Sequence, residues 1–270
     1  MNLPYTETGD GPPVLLLHAG IADRSMWDEH LEPLAAAGHR AVALDLPGFG
    51  EAATGPEPVA HWQDVLATMD ALEMNRVSIV GNSFGGAVAL RIAAISPERV
   101  HSLLLFSTAA VPEPDPSVEL LGAWEAEEVA LEAGDIEKAV EAVVSAWVRP
   151  QASDEVRHRV AAMQRGNYES HGPEQELKQA ADPLEEDTAL LAAIGCPALI
   201  AAGEEDFVDF KNAVRELGAS LPRAETTLIP GCGHLAPLEA PEEFRRLVIE
   251  HLPLGSRPPQ PVETVQIPSS

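Results

Sequence analysis

An apolar run, Val77-Ser78-Ile79-Val80, leads directly into Gly81-Asn82-Ser83-Phe84-Gly85-Gly86 and then into an apolar helical stretch. A serine on so sharp a strand-to-helix turn stands exposed at the strand end, and the glycines two residues on either side remove side chains that would collide across the turn. The helix that follows points its first amides and positive dipole end at the same place. Ser83 is therefore a candidate nucleophile and the Phe84 N–H a candidate oxyanion donor. The alternative reading of this segment is a turn with a helix-capping serine. A serine hydroxyl needs a base. Gly231-Cys232-Gly233-His234 follows the last strand-like run, and its glycines let the chain bend so that an imidazole reaches back over the sheet edge, which makes His234 the candidate. A base in turn needs a carboxylate to fix its tautomer and stabilise the imidazolium. Asp206 fits best, with Glu205 and Glu204 as alternatives, in the turn Gly203-Glu204-Glu205-Asp206 after the preceding strand. The order serine, aspartate, histidine, each after a strand, favours a catalytic set over an isolated acidic loop and a surface histidine.

The elements that must position these residues are legible as short apolar runs: Val14 to Leu17, Ala41 to Leu44, Val77 to Val80, Leu103 to Phe106, Ala198 to Ala202 and Glu225 to Ile229. The first four are almost wholly apolar, as expected of parallel strands covered on both faces by helices. Pro112, Pro114 and Pro116 end the first strand region, and Val118 to Leu131, Asp135 to Trp147 and Glu155 to Tyr168 read as helices before the strands resume. Helices are also expected at Asn212 to Leu217 and Glu242 to His251. The expected fold is α/β, a mostly parallel doubly wound sheet split by a helical insertion. Its parts are a core over 1–111, a helical lid over 112–188, a second core part over 189–254 and a proline-rich, mobile tail over 255–270. A turn after the first strand, His18-Ala19-Gly20, brings further amides beside the serine; Gly20 is assigned the second oxyanion N–H, with Ala19 as the alternative. His18 reads as a brace for that loop, and Asp45 as structural.

Composition narrows the function classes. Against 43 acidic residues stand 17 basic ones, a net charge of -26, and such a polyanion is repelled by nucleic-acid phosphates and anionic lipid surfaces. Apolar runs stay far below the roughly 20 residues that span a bilayer, and the N-terminus carries no leader pattern, so a cytoplasmic protein without nucleic-acid or membrane partners is expected. Cys196 and Cys232 read as buried, reduced thiols, too few for a disulfide framework or a zinc site.

These motifs together resemble the α/β-hydrolase superfamily, in its lid-bearing group of carboxylesterases, lactonases, iminopeptidases and carbon-carbon bond hydrolases. The resemblance covers residues 3 to about 252. It rests on His18-Ala19-Gly20 with Met26-Trp27, Asp45-Leu46-Pro47-Gly48-Phe49-Gly50, the Gly81–Gly86 turn, Gly203 to Asp206, and Gly233-His234-Leu235-Ala236-Pro237-Leu238-Glu239-Ala240-Pro241. It implies Ser83 as nucleophile, His234 as base, Asp206 as acid, Phe84 and Gly20 as oxyanion donors and no metal or cofactor. A serine in place of an aspartate nucleophile excludes dehalogenase and epoxide-hydrolase chemistry. The expected activity is hydrolysis of a small carboxylic ester or lactone; the alternatives are a carbon-carbon hydrolase or cofactor-free lyase on the same residues, and a non-catalytic binding protein of this fold. Trp124, Trp147, Met163 and Tyr168 are the residues expected to line the small-molecule pocket from the lid.

Overall fold

The computed structural model describes residues 2–54, 58–172 and 178–253, so the proline-rich tail expected at 255–270 lies outside the described residues. Seven strands form one sheet: β1 (Tyr5–Thr8), β2 (Pro13–Leu17), β3 (Arg40–Leu44), β4 (Val77–Asn82), β5 (Val100–Phe106), β6 (Ala198–Gly203) and β7 (Ala224–Ile229). The helices that pack on it or join its strands are α1 (Asp28–Ala36), α2 (His61–Ala71), α3 (Phe84–Ile95), α4 (Val118–Glu132), α5 (Ile136–Trp147), α6 (Asp154–His171), α7 (Pro183–Glu186), α8 (Val208–Ser220), α9 (Ala236–Glu239) and α10 (Pro241–His251). Every expected strand is present within three residues of its expected ends; α8 starts four residues earlier than expected, directly after the acidic turn.

The strand order is β1-β3-β2-β4-β5-β6-β7, parallel throughout except for β1, which pairs antiparallel with β3. Strands β4 and β6 are buried along their whole length, whereas the edge strand β7 keeps Glu225 and Thr226 exposed. Burial of each leucine of β2, all fully shielded, contributes roughly 1.5–3 kcal/mol, and the two faces of the sheet seat two separate apolar clusters. The chain leaves β2 for β3 on one side and returns to β4 on the other. Such a reversal of strand order opens a crevice beyond the carboxyl ends of the strands, where α/β folds bind ligands.

Helices α4, α5 and α6 all lie between β5 and β6 in sequence and pack on one another through Ala130, Ala139, Val140 and Tyr168. Polar contacts strap them to the core. The Asn167 amide donates to the Ala22 carbonyl at 3.1 Å while its Oδ1 accepts from the Gly50 N–H at 3.0 Å, and Asp209 accepts from both the Ser117 N–H and hydroxyl at 2.7 Å. From Asp182 onward the chain is tied to α3: Arg91 donates to Asp182, and Leu184 and Leu191 are buried in the core cluster. Among the described residues no helix is long and apolar enough to cross a membrane.

One buried histidine gives the fold a pH dependence. His30 of α1 packs against Phe244 with ring centroids 4.8 Å apart and donates its Nε2–H to the Pro237 carbonyl at 2.9 Å. Burial pushes its pKa down to about 4, with the Pro237 hydrogen bond opposing. Between pH 6.5 and 4 the unfolded chain therefore binds a proton at His30 that the folded chain refuses, and stability falls as pH falls through that window. The expected loss from this residue is about 2 kcal/mol at pH 5 relative to pH 7. Urea denaturation of wild type and His30→Leu at both pH values checks it: the variant should lose less stability on acidification, and an unchanged difference would disprove the assignment.

Candidate active site

Ser83 sits between β4 and α3 with φ 52° and ψ -115°, a left-handed conformation that side chains adopt at a cost of about 1–3 kcal/mol. Its amide donates to the Phe106 carbonyl at 2.8 Å, and its side chain makes no capping bond to α3, which removes the capping-serine reading. The glycines are required by close approach: a Cβ on Gly81 would stand 2.6 Å from the Gly85 backbone, and one on Gly85 2.2 Å from the Leu17 carbonyl.

The acidic turn and the histidine loop are joined backbone to backbone. The Glu204 N–H donates to the Ile229 carbonyl at 3.0 Å and the Glu205 N–H to the Cys232 carbonyl at 2.9 Å, and a Cβ on Gly203 would stand 2.1 Å from that same carbonyl. This brings the His234 Nδ1 to 3.0 and 3.2 Å from the two carboxylate oxygens of Asp206. One of these oxygens also accepts the Phe207 N–H at 2.8 Å. Both side chains are buried, whereas Glu204 and Glu205 are exposed; of the three acidic residues the structure thus brings Asp206 to the imidazole. The imidazole is held between Trp147 and Phe210, with centroids 4.6 and 4.4 Å away.

Ser83 and His234 open onto one cavity of about 390 Å³ whose walls include Gly20, Phe84, Trp124 and Trp147. Met163 and Tyr168, expected in the lining, stand behind it: Met163 packs in the core cluster, and Tyr168 turns its hydroxyl to Glu127. Gln164, next to Met163 on α6, lines the cavity instead, because adjacent helical residues point about 100° apart, and so does Glu127 of α4, to which the Tyr168 hydroxyl is bonded. Phe84 opens α3, so its N–H has no intrahelical acceptor, and Gly20 lies across from it, an added Cβ there standing 3.5 Å from the Phe84 Cβ. His18 is fully buried; its Nε2 accepts from the Leu46 N–H at 2.9 Å and its Nδ1–H donates to the Ala19 carbonyl at 2.8 Å, which fixes the loop that carries Gly20. Desolvation lowers its pKa and favours this neutral form. Asp45 is likewise structural, accepting the Arg24 and Glu51 backbone N–H groups and pairing with the Arg24 guanidinium. Cys232 is buried, with its thiol pKa pushed up first by desolvation and then by nearby carboxylates, whereas Cys196 is only half-buried, against expectation.

Residues 14–247 match the model of the Alpha/beta hydrolase family. The chain belongs to this family. A 2-hydroxy-6-oxononadienedioate/2-hydroxy-6-oxononatrienedioate hydrolase of Pseudomonas putida is 30% identical over 275 residues, spanning 93% of this chain and 92% of its own. Among solved structures, a thermophilic esterase from Thermogutta terrifontis superposes with a TM-score of 0.76 at 27% identity, covering 92% of both chains. An N-acyl homoserine lactone degrading enzyme does so with 0.74 at 26% identity, covering 93% of this chain and 96% of its own.

In this α/β hydrolase two residues that the sequence motifs leave unassigned hold the histidine loop. Asn82, buried at the end of β4, donates its amide to the Phe106 and His234 carbonyls at 3.1 and 3.2 Å, linking the turn of Ser83 to the backbone of His234. Glu239, with no exposed side-chain surface, accepts the Gly233 N–H at 3.1 Å and the Leu235 N–H at 3.3 Å and lies 3.3 Å from the Arg149 guanidinium. Its signal in the sequence is a lone acid in an otherwise apolar and proline-rich run; that of Asn82 is a single amide ending an apolar strand.

Proposed function

We propose that this hydrolase cleaves a small carboxylic ester or lactone through an acyl-enzyme. Ser83 Oγ attacks the carbonyl carbon while His234 takes the hydroxyl proton, and Asp206 holds the imidazole with Nδ1 protonated and stabilises the imidazolium. The N–H groups of Phe84 and Gly20, aided by the positive end of α3, receive the oxyanion. His234 then passes its proton to the leaving alcohol, and a water activated by the same imidazole hydrolyses the acyl-enzyme. Neither half-reaction calls for a metal or cofactor. The helices α4–α6 act as a lid over the cavity.

The observation that carries the reading is the strained Ser83 backbone beside a buried Asp206–His234 pair on one cavity. A second reading, hydrolysis of a carbon-carbon bond, is favoured by the Pseudomonas putida relative. That relative's named substrates are dicarboxylates, whereas the cavity here is lined by Glu113 and Glu127, with no lysine or arginine among its described lining residues. Unlike the polyanionic surface, which excludes only polyanionic partners, this local charge bears on the substrate directly and favours an uncharged ester. Turnover of short p-nitrophenyl esters and lactones, with none of a 2-hydroxy-6-oxodienoate, is the expected result. The reverse pattern would establish carbon-carbon hydrolysis, and no turnover or labelling by a fluorophosphonate would leave the binding-protein reading.

A further inference from the structure

Phe84 holds its N–H at the start of a helix, whereas the Gly20 N–H lies in a four-residue turn, Ala19 to Ala22, closed by the Ala22 N–H on the Ala19 carbonyl at 3.0 Å. A turn outside helix and sheet fixes a donor only as well as its neighbours hold it, and an oxyanion donor must be held to within about 0.5 Å. The first residue of the turn is fixed by His18, whose Nδ1–H donates to the Ala19 carbonyl at 2.8 Å. Its last residue is fixed from the helical insertion: the buried Asn167 amide of α6 donates to the Ala22 carbonyl at 3.1 Å. The oxygen of that amide accepts the Gly50 N–H at 3.0 Å, and one helical turn on, the His171 Nε2–H donates to the Gly50 carbonyl at 3.1 Å. Gly50 follows Phe49, which packs against both His18 and Phe84 with ring centroids 5.1 and 5.7 Å away. Arg159, Met163, Asn167 and His171 recur every four residues and so share one face of α6. Met163 packs in the same cluster as Ala22, and Arg159 donates to the Ser25 carbonyl and pairs with Glu29. That face of α6 therefore meets the loops that flank the two oxyanion donors.

We propose that Asn167 is a positioning residue for the oxyanion hole: through Ala22 it sets the turn that carries the Gly20 N–H. The seating of α6 on the core thereby becomes a condition of transition-state stabilisation, a part in the chemistry beyond walling the cavity. The inference rests on reading Gly20 and Phe84 as the oxyanion donors. Loss of the Ala22 bond leaves Ser83, His234 and Asp206 in place and relaxes one donor, an effect felt where negative charge develops and not where neutral substrate binds.

Hexyl trifluoromethyl ketone reads the hole directly: Ser83 Oγ adds to its carbonyl carbon, His234 takes the hydroxyl proton, and the carbonyl oxygen becomes the oxyanion of a hemiketal. Hexyl trifluoromethyl carbinol has a similar shape without the electrophilic carbon and reads binding alone. Quenching of Trp124 and Trp147, which line the cavity, gives both affinities. Asn167→Leu removes both bonds, and Asn167→Asp keeps an acceptor for Gly50 but cannot donate to Ala22 as a carboxylate. Each should lower the ketone-to-carbinol affinity ratio about 10- to 100-fold, a ratio that a loss of folded protein would not change. On p-nitrophenyl hexanoate both should lower kcat by a similar factor with KM within about 3-fold of wild type. Arg159→Gln frees the same helix at a point outside the turn and should leave the affinity ratio within about 3-fold of wild type. A wild-type preference for the ketone that is unchanged in either Asn167 variant, or lost equally in Arg159→Gln, would overturn the positioning role alone. Equal binding of ketone and carbinol by wild type would overturn the oxyanion reading and the inference with it.

Discussion

Ser83→Ala is expected to lower turnover by about 10⁴- to 10⁶-fold and to abolish labelling by a fluorophosphonate, without loss of the fold. The size of the effect follows from the role: with no Oγ there is no acyl-enzyme, and what remains is the binding of substrate beside Phe84 and Gly20. Alanine at φ 52° carries the same backbone strain as serine, so melting temperature should hardly move. Ser83→Gly separates the two properties, because glycine adopts positive φ freely. It should be as inactive as alanine yet more stable by up to about 1 kcal/mol, since relief of strain is partly offset by the greater freedom of glycine in the unfolded chain. A Ser83→Ala protein that labels like wild type would remove Ser83 from the chemistry.

Asp206→Asn is the second large effect, about 10⁴-fold in kcat. One Asp206 oxygen accepts the Phe207 N–H, and an asparagine retains that bond by placing its oxygen there. Its NH₂ then takes the place of the other oxygen, 3.2 Å from His234 Nδ1, while its own oxygen stays 3.0 Å from the same nitrogen. The negative charge that stabilises the imidazolium is lost, and wherever the NH₂ donates to Nδ1 the imidazole carries its proton on Nε2, which blocks proton uptake from the serine. The fold is kept, while the charge and the single tautomer are lost. Glu204→Gln and Glu205→Gln alter exposed carboxylates and should stay within a few-fold of wild type, so comparison of the three kcat values tests whether Asp206 alone supplies the charge. Equal losses in all three would show an effect of net charge instead.

The sheet was legible because its strands are buried on both faces and read as continuous apolar runs, and because Gly81 and Gly85 mark a turn that few other segments require. The sequence order also placed Ser83, Asp206 and His234 each after a strand, and the structure brings the ends of those strands, β4, β6 and β7, to one crevice. Legibility ended at contacts that depend on which way a side chain turns. Met163 and Tyr168 were separated from the true lining residue Gln164 by a single position or one helical turn, and no periodicity in α6 distinguishes the face toward the cavity from the face toward the core. Glu127 was visible only as one acid among several on α4, and its burial comes from packing against Tyr168 across the helix pair. Asn82 and Glu239 act on the histidine loop through the backbone, a role that residue type alone does not announce.

The ends of the helical insertion are held together by the pairing of β5 with β6, from Leu103 opposite Ala198 to Phe106 opposite Ala201. Everything between them is, to the sheet, a closed loop, and the entropy of closing a loop grows only logarithmically with its length: doubling it costs about 0.6 kcal/mol. Lengthening or exchanging α4–α6 therefore need not disturb the strand register that positions Ser83 and Asp206. The segment carrying Trp124, Glu127 and Gln164 is thus one that evolution, or an engineer grafting another insertion at the same two strand ends, can rewrite separately from the sheet.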